Sequence, residues 1–227
     1  MTNRNWLGKA TITGAALVLI AAMAFTACSK KEGGSGGGST SASVGKASPA
    51  SDFSYELTAD KSGVSITGYT GNGGRVVIPA TIEDMPVKEI GFQAFRGGEN
   101  RGDERKANRI TEIVIPDSVV KIEDGAFAGI ENLTKATLPN GLKVIPNQLF
   151  LGCKNLTTVN LPTSLEVIED SIAFANCGEL NNLIIPESLN SVKFPAPFGS
   201  NNAFISCGKL PLATRAKIEA WGYEDGF

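Results

Sequence analysis

No histidine occurs anywhere in the chain. That absence removes the commonest zinc ligand, the usual base of a serine or cysteine triad, and the side chain best suited to proton transfer at neutral pH. An excess of either charge is missing as well: 21 Lys and Arg stand against 23 Asp and Glu, a formal net charge of -2 with a pI near 5.4. Without a basic surplus there is no field to gather nucleic acid or to hold the chain on an anionic membrane surface. What is present is a globular composition. With 42% hydrophobic and 19% charged residues over 227, the chain has material for one ordinary domain and an appendage, not for two full domains.

The appendage comes first. Arg4 and Lys9 form a positive segment, residues 15–25 form an apolar run, and Thr26-Ala27 lead directly into Cys28. The run is shorter than the ~20 residues a spanning helix needs. A small residue immediately before a cysteine resembles a bacterial lipobox, in the looser form seen in spirochaetes, because Phe25 stands where the stricter form has Leu. The resemblance implies that residues 1–27 are a lipoprotein signal peptide, cleaved before a lipidated Cys28; a transmembrane anchor is the other reading. Residues 28–52 then hold the lipidated cysteine and a tether in which Gly and Ser dominate and nothing can be buried. Such a tether reaches roughly 25 to 30 Å, which keeps the folded part close to a membrane.

From Phe53 onward the sequence repeats itself. Val77-Ile78-Pro79, Val114-Ile115-Pro116, Thr137-Leu138-Pro139, Asn160-Leu161-Pro162 and Ile184-Ile185-Pro186 all end in proline, at spacings of 37, 23, 23 and 24. Six residues after proline stand Ile122, Ile145, Ile168 and Val192, and eleven or twelve after it Phe127, Phe150 and Phe174. Three further on come Ile130, Cys153 and Cys177, then Leu133, Leu156 and Leu180. A single unit of about 23 residues has too few apolar side chains to enclose a core. Stacked units bury like upon like, so the array predicts a solenoid. The L-x-x-V-x-L and S-L-x-x-I segments are too short for helices and alternate as strands do. Each predicts a short parallel strand about 4.8 Å from its copy in the next coil, with proline ending the first strand where its missing N–H disturbs no ladder.

The stretch LTTVNLPTSLEVIEDSIAFANC, residues 156–177, resembles the BspA-like leucine-rich repeats, a 23-residue class of surface lipoproteins known from treponemes and oral anaerobes, and the likeness extends over about residues 53–222. It implies an α/β-type leucine-rich-repeat solenoid of mainly short parallel β-strands. An N-terminal β-hairpin cap occupies residues 53–78, around Leu57 and Ile66. About five coils fill 79–210, with a loop insertion at 96–109. A C-terminal helical cap follows at 211–227, with Leu212, Ala216 and Trp221 placed to cover the last coil. Caps are needed because an open solenoid end pairs with other chains.

Cys153, Cys177 and Cys207 each follow an aromatic residue by three, which puts them in one column. Side chains in a column point the same way rather than at each other, and their number is odd, so buried free thiols are expected instead of disulfides or a metal centre. The insertion ENRGDERKAN at 99–108 has no apolar residue but Ala107 and is expected to loop into solvent. Its Arg101-Gly102-Asp103 tripeptide is either part of a solubilising charged loop or an adhesive tip that offers a guanidinium to an acidic pocket and a carboxylate to a receptor's metal ion. A second insertion, 193–202, carries two prolines and two phenylalanines and reads as a seal on the last coil or as an exposed aromatic contact.

Phase places Glu112, Val114, Lys135, Thr137, Thr158, Asn160, Asn182 and Ile184 on the outer face of the first strand, with Val114 and Ile184 as apolar exceptions in a polar surface. Lys121, Lys143, Glu166 and Asn190 line the second strand. Solenoids bind proteins on extended faces of this kind, while a merely solvated sheet looks the same in sequence. The carboxylate pairs Glu123-Asp124 and Glu169-Asp170 recur in phase, so they read as turn residues rather than as an acid and a base. No catalytic residue, metal or cofactor is expected, and the chain is read as a non-enzyme. The resemblance implies a lipid-anchored adhesin at the outer-membrane surface, with a host matrix protein such as fibronectin or fibrinogen, or another bacterium, as partner. The alternative is a periplasm-facing scaffold that binds another envelope component.

Overall fold

The computed structural model describes residues 45–97, 104–169, 172–193, 202–224 and 226–227. The signal and tether with Cys28, the Arg101-Gly102-Asp103 tripeptide, Asp170 and most of the 193–202 insertion lie outside these residues.

A turn of 3-10 helix at Ala50–Asp52 leads into β1 (Phe53–Leu57) and β2 (Val64–Tyr69), which pair antiparallel. There follow β3 (Gly74–Val77), β4 (Thr81–Ile82), β5 (Met85–Ile90), the single helical turn α1 (Glu104–Ala107) and β6 (Ile110–Val114). Beyond them the chain alternates through β7 (Lys121–Ile122), β8 (Lys135–Thr137), β9 (Val144–Ile145), β10 (Thr158–Asn160), β11 (Val167–Ile168) and β12 (Asn182–Ile184). It then closes with α2 (Leu212–Ala220).

Alternation along the chain becomes stacking in space. The first strands of successive coils form one parallel sheet in the order β12-β10-β8-β6-β3. The second strands stack beside it: β5 takes β2 and then β7 in parallel, and β9 takes β11. A third ladder has no strands. The amide of each aromatic donates to the carbonyl one coil on, from Phe95 to Ala126 (2.8 Å), Phe127 to Leu149 (3.1 Å), Phe150 to Ala173 (2.8 Å) and Phe174 to Ala203 (2.8 Å). Two residues past the aromatic the chain turns through the left-handed region, at Gly129 and Gly152 (both φ 71°) and, at the cost of local strain, at Asn176 (φ 60°) and Ser206 (φ 63°).

Enclosed by these ladders is one core whose spine is aromatic. Phe95, Phe127, Phe150, Phe174 and Phe204 are all buried, with neighbouring ring centroids 5.1 to 5.7 Å apart. Both ends extend the spine. Phe53 and Tyr69, from the antiparallel pair, meet Phe95; Tyr223 and Phe227 meet Phe204. The Phe204 amide, whose equivalents donate to the next coil, donates to the Tyr223 hydroxyl at 3.2 Å, which in turn donates to the Gly226 carbonyl. A phenol thus stands in for the missing coil.

Two sequence expectations are corrected. Leu212 is 82% exposed and Ala216 is exposed; α2 instead buries Ile218, with Trp221 and Phe227 packed against the core. At 3.6 residues per turn Leu212 and Ala216 lie about 120° and 160° around the helix from Ile218, so one face cannot bury all three. The first insertion is not wholly solvent loop either. Its second half forms α1, and Ala107 is buried in the core cluster, while the Asn108 carbonyl accepts from the Asn132 side chain at 2.7 Å. One small apolar residue suffices to pin a helical turn.

Candidate binding surface

The sheet β3 to β12 brings the sequence-predicted face together in two columns. In register, Glu112, Lys135, Thr158 and Asn182 form one, and Val114, Thr137, Asn160 and Ile184 form the other. Strand β3 adds Arg75 beside Glu112 and Val77 beside Val114. Arg75 was not among the predicted residues, although it precedes Pro79 by four just as Glu112 precedes Pro116.

Neighbours decide what each position can offer. Glu112 accepts from Arg75 Nε at 3.1 Å and lies 3.4 Å from Lys135 Nζ, so opposite charges alternate along three coils. Asn160 is turned back on its own scaffold: Oδ1 accepts from the Leu138 amide at 3.1 Å and Nδ2 donates to the Leu138 carbonyl at 3.3 Å. At the same position in other coils the amide donor finds a backbone carbonyl, as Ile78 does at Val114 and Leu161 at Ile184. Thr134 and Thr157 donate their hydroxyls to the carbonyls of Thr111 and Thr134, tying coil to coil beside the strands.

Val114 departs from expectation, because it is only 7% exposed while Ile184 is 47% exposed. The cause is lateral. Val114 stands between Val77 and Thr137 in adjacent strands, whereas Ile184 lies on the edge strand β12 with one neighbour, Asn160. Val77, on the opposite edge, is buried where Ser48 pairs with its backbone through Ser48 N to Val77 O (2.8 Å) and Val77 N to Ser48 Oγ (3.1 Å). The exposed apolar point of this face is therefore Ile184.

On the second track Lys143 Nζ and Glu166 Oε1 meet at 2.8 Å, which raises the lysine's proton affinity and lowers that of the carboxylate. Glu123 uses both oxygens structurally, accepting from the Phe92 amide (2.9 Å) and from Lys121 Nζ (2.9 Å). Burial, then the nearby charge of Asp124, raise the pKa of Glu169. Among the described residues no group of three or more Cys, Asp or Glu is arranged to hold a metal ion. Cys153, Cys177 and Cys207 are buried and unpaired, each thiol donating to an aromatic's carbonyl one coil back, at 3.2 Å to Phe127, 3.1 Å to Phe150 and 3.1 Å to Phe174. Burial pushes the Cys153 and Cys207 thiols up to about 12. They are packing groups in this state, not nucleophiles.

Residues 105–212 match, in six copies, the family described as BspA type leucine rich repeat region. The repeats are of the BspA type. A leucine-rich repeat protein from Bacteroides ovatus is 28% identical with a TM-score of 0.51, covering 70% of this chain and 44% of its own. A leucine rich cell surface protein from Faecalibacterium prausnitzii shares the fold at 23% identity and a TM-score of 0.54, over 76% of this chain and 41% of that one. The T. pallidum leucine rich repeat protein is 26% identical with a TM-score of 0.45, over 79% and 97%. The chain thus spans less than half the length of the first two. No curated protein is significantly similar to it. Among its described residues no helix is long and apolar enough to cross a membrane.

Proposed function

We propose that this chain is a BspA-type binding protein without catalytic activity, held to the bacterial envelope by a lipid on Cys28, which presents its five-strand face to a protein partner at the cell surface. The observation that carries the reading is the face itself. Arg75, Glu112, Lys135, Thr158 and Asn182 form one column in register across β3, β6, β8, β10 and β12, and at the free edge the exposed Ile184 stands beside Asn182. An apolar anchor with a polar surround is what a protein contact needs. The Arg75–Glu112–Lys135 ladder adds charges already fixed in place, which lowers the entropy lost on docking.

As an adhesin the protein is expected to bind a host matrix protein, with fibronectin and fibrinogen the first to test, or another bacterium. Protease treatment of intact cells is the first measurement. Loss of the folded part while a periplasmic marker survives supports the surface reading. Survival on intact cells, with cleavage after permeabilisation, replaces it with the periplasm-facing scaffold. On immobilised fibronectin and fibrinogen, Ile184→Asp combined with Lys135→Glu is expected to reduce capture at least tenfold, the loss of one interface hot spot. The Arg101-Gly102-Asp103 tripeptide keeps both readings, and Asp103→Glu separates them: only a receptor-read tripeptide loses integrin-dependent attachment.

A further inference from the structure

Away from the strand face lies a trough made of two adjoining hollows of about 420 and 430 Å³, which share Phe92, Lys121 and Glu123. Two of the molecule's exposed large apolar side chains line it, Phe92 at 63% and Leu57 at 50% exposure. Phe92 breaks the repeat. It follows the buried Ile90 by two, and the positions that follow Ile122, Ile145 and Ile168 by two are Asp124, Asn147 and Asp170. Asp124 and Asn147 are half-buried at that turn, whereas the Phe92 ring is left largely exposed and so gains little from the fold. It is nonetheless fixed in place, since its amide donates to Glu123 Oε2 at 2.9 Å and the next residue, Gln93, holds a left-handed φ of 54°.

The charged part of the remaining lining is mostly acidic. Glu56, Glu89, Glu123, Asp124 and Glu169 face a single cation, Lys121, which is already bound to Glu123 at 2.9 Å. Burial first, and the neighbouring charge of Asp124 second, raise the proton affinity of Glu169. Exposed apolar surface and surplus negative charge thus occupy one concavity.

We propose that this trough is a second docking surface, and that its occupant is a segment of a partner protein in which lysine or arginine alternates with aromatic or branched apolar residues. Apolar side chains of such a segment would cover Leu57 and Phe92, and its cations would meet Asp124 and Glu169 or lie over the Phe92 ring. A neutral or acidic segment would strip water from the carboxylates and return nothing. Nucleic acid and anionic lipid are repelled by the same charges. The inference is independent of the lipid anchor and of the strand face.

Fluorescence anisotropy with the purified full-length chain tests it, using two labelled probes of equal charge, a short peptide of alternating Lys and Phe and one of alternating Lys and Ser. The Lys-Phe probe is expected to bind at least tenfold tighter, and Phe92→Ser to remove about that factor while leaving the melting temperature unchanged. Asp124→Asn with Glu169→Gln should weaken both probes and flatten the salt dependence. Ile205→Ser and Leu212→Ser, at exposed apolar sites outside the trough and outside the strand face, should change nothing. Equal affinity for the two probes, indifference to Phe92→Ser, or equal losses from the three serine variants each overturn the proposal. So does sedimentation showing self-association that Phe92→Ser abolishes, since a second copy is then the occupant.

Discussion

Raising the pH should load the cysteine column more than any other part of this molecule. In the fold, burial holds Cys153 and Cys207 up at about 12 and Cys177 well above the ordinary thiol value of 9.0. Unfolding returns all three to water. Because the folded values are the raised ones, the stability the thiols contribute is whole below about pH 9 and is lost as pH climbs toward 12: the unfolded chain releases protons that the native chain keeps. At pH 10 the unfolded thiols are ionised about ten to one, which favours unfolding by about 1.4 kcal/mol each and about 4 kcal/mol for the column. That is a large share of the 5–15 kcal/mol that holds a typical domain together. The assay is urea denaturation at pH 8 and at pH 10, of the wild type and of Cys153→Ala/Cys177→Ala/Cys207→Ala. Lysines and tyrosines titrate in both proteins, so the difference isolates the thiols. The wild type should lose about 3–4 kcal/mol more than the triple variant across that interval. Equal losses would refute the reasoning, as would rapid alkylation of any of the three, mapped by mass, in the native protein at pH 8.

Phe150→Ala removes a ring stacked 5.7 Å from Phe127 and 5.6 Å from Phe174. It should cost about 3–5 kcal/mol and broaden the denaturation curve, because coils joined through a weakened neighbour interface no longer unfold together; a cost below about 1 kcal/mol would contradict the role given to the aromatic spine. Asn160→Ala leaves the part-buried Leu138 amide without its side-chain acceptor and should cost about 1–2 kcal/mol by chemical denaturation. Glu112→Gln, in a partly exposed ladder, should cost under about 1 kcal/mol, and less still in high salt.

Much of the fold can be read from the period alone. A residue type that must stack on itself recurs at a fixed interval, so the columns of Phe, Leu, Ile and Cys were legible before any coordinate. The same phase placed all eight residues of the strand face on one sheet. Facts that depend on sideways neighbours were not legible. Val114 and Ile184 hold equivalent positions and are both aliphatic; one is covered because strands flank it on both sides, the other is open because its strand is last. Nor does a repeat say how a helix beyond it is rotated, which is why Leu212 was assigned to the wrong side of α2. Phe92 escaped because the extra residues between Pro79 and Phe95 hide its equivalence to Asp124, whereas Arg75 stands in plain phase with Glu112 ahead of its proline and was legible.

The Tyr223 hydroxyl that receives the Phe204 amide makes the interior indifferent to how many coils precede it. Removing residues 140–162 would join Pro139 to Thr163, set Phe127 against Phe174, and leave that terminal phenol with the same amide to accept. Length is therefore a quantity this architecture can change in whole steps, each moving the edge of the sheet by about 4.8 Å. With five strands the exposed face measures about 19 Å across, the extent of a short peptide segment rather than of a whole protein surface. The fold works as a ruler marked in coils.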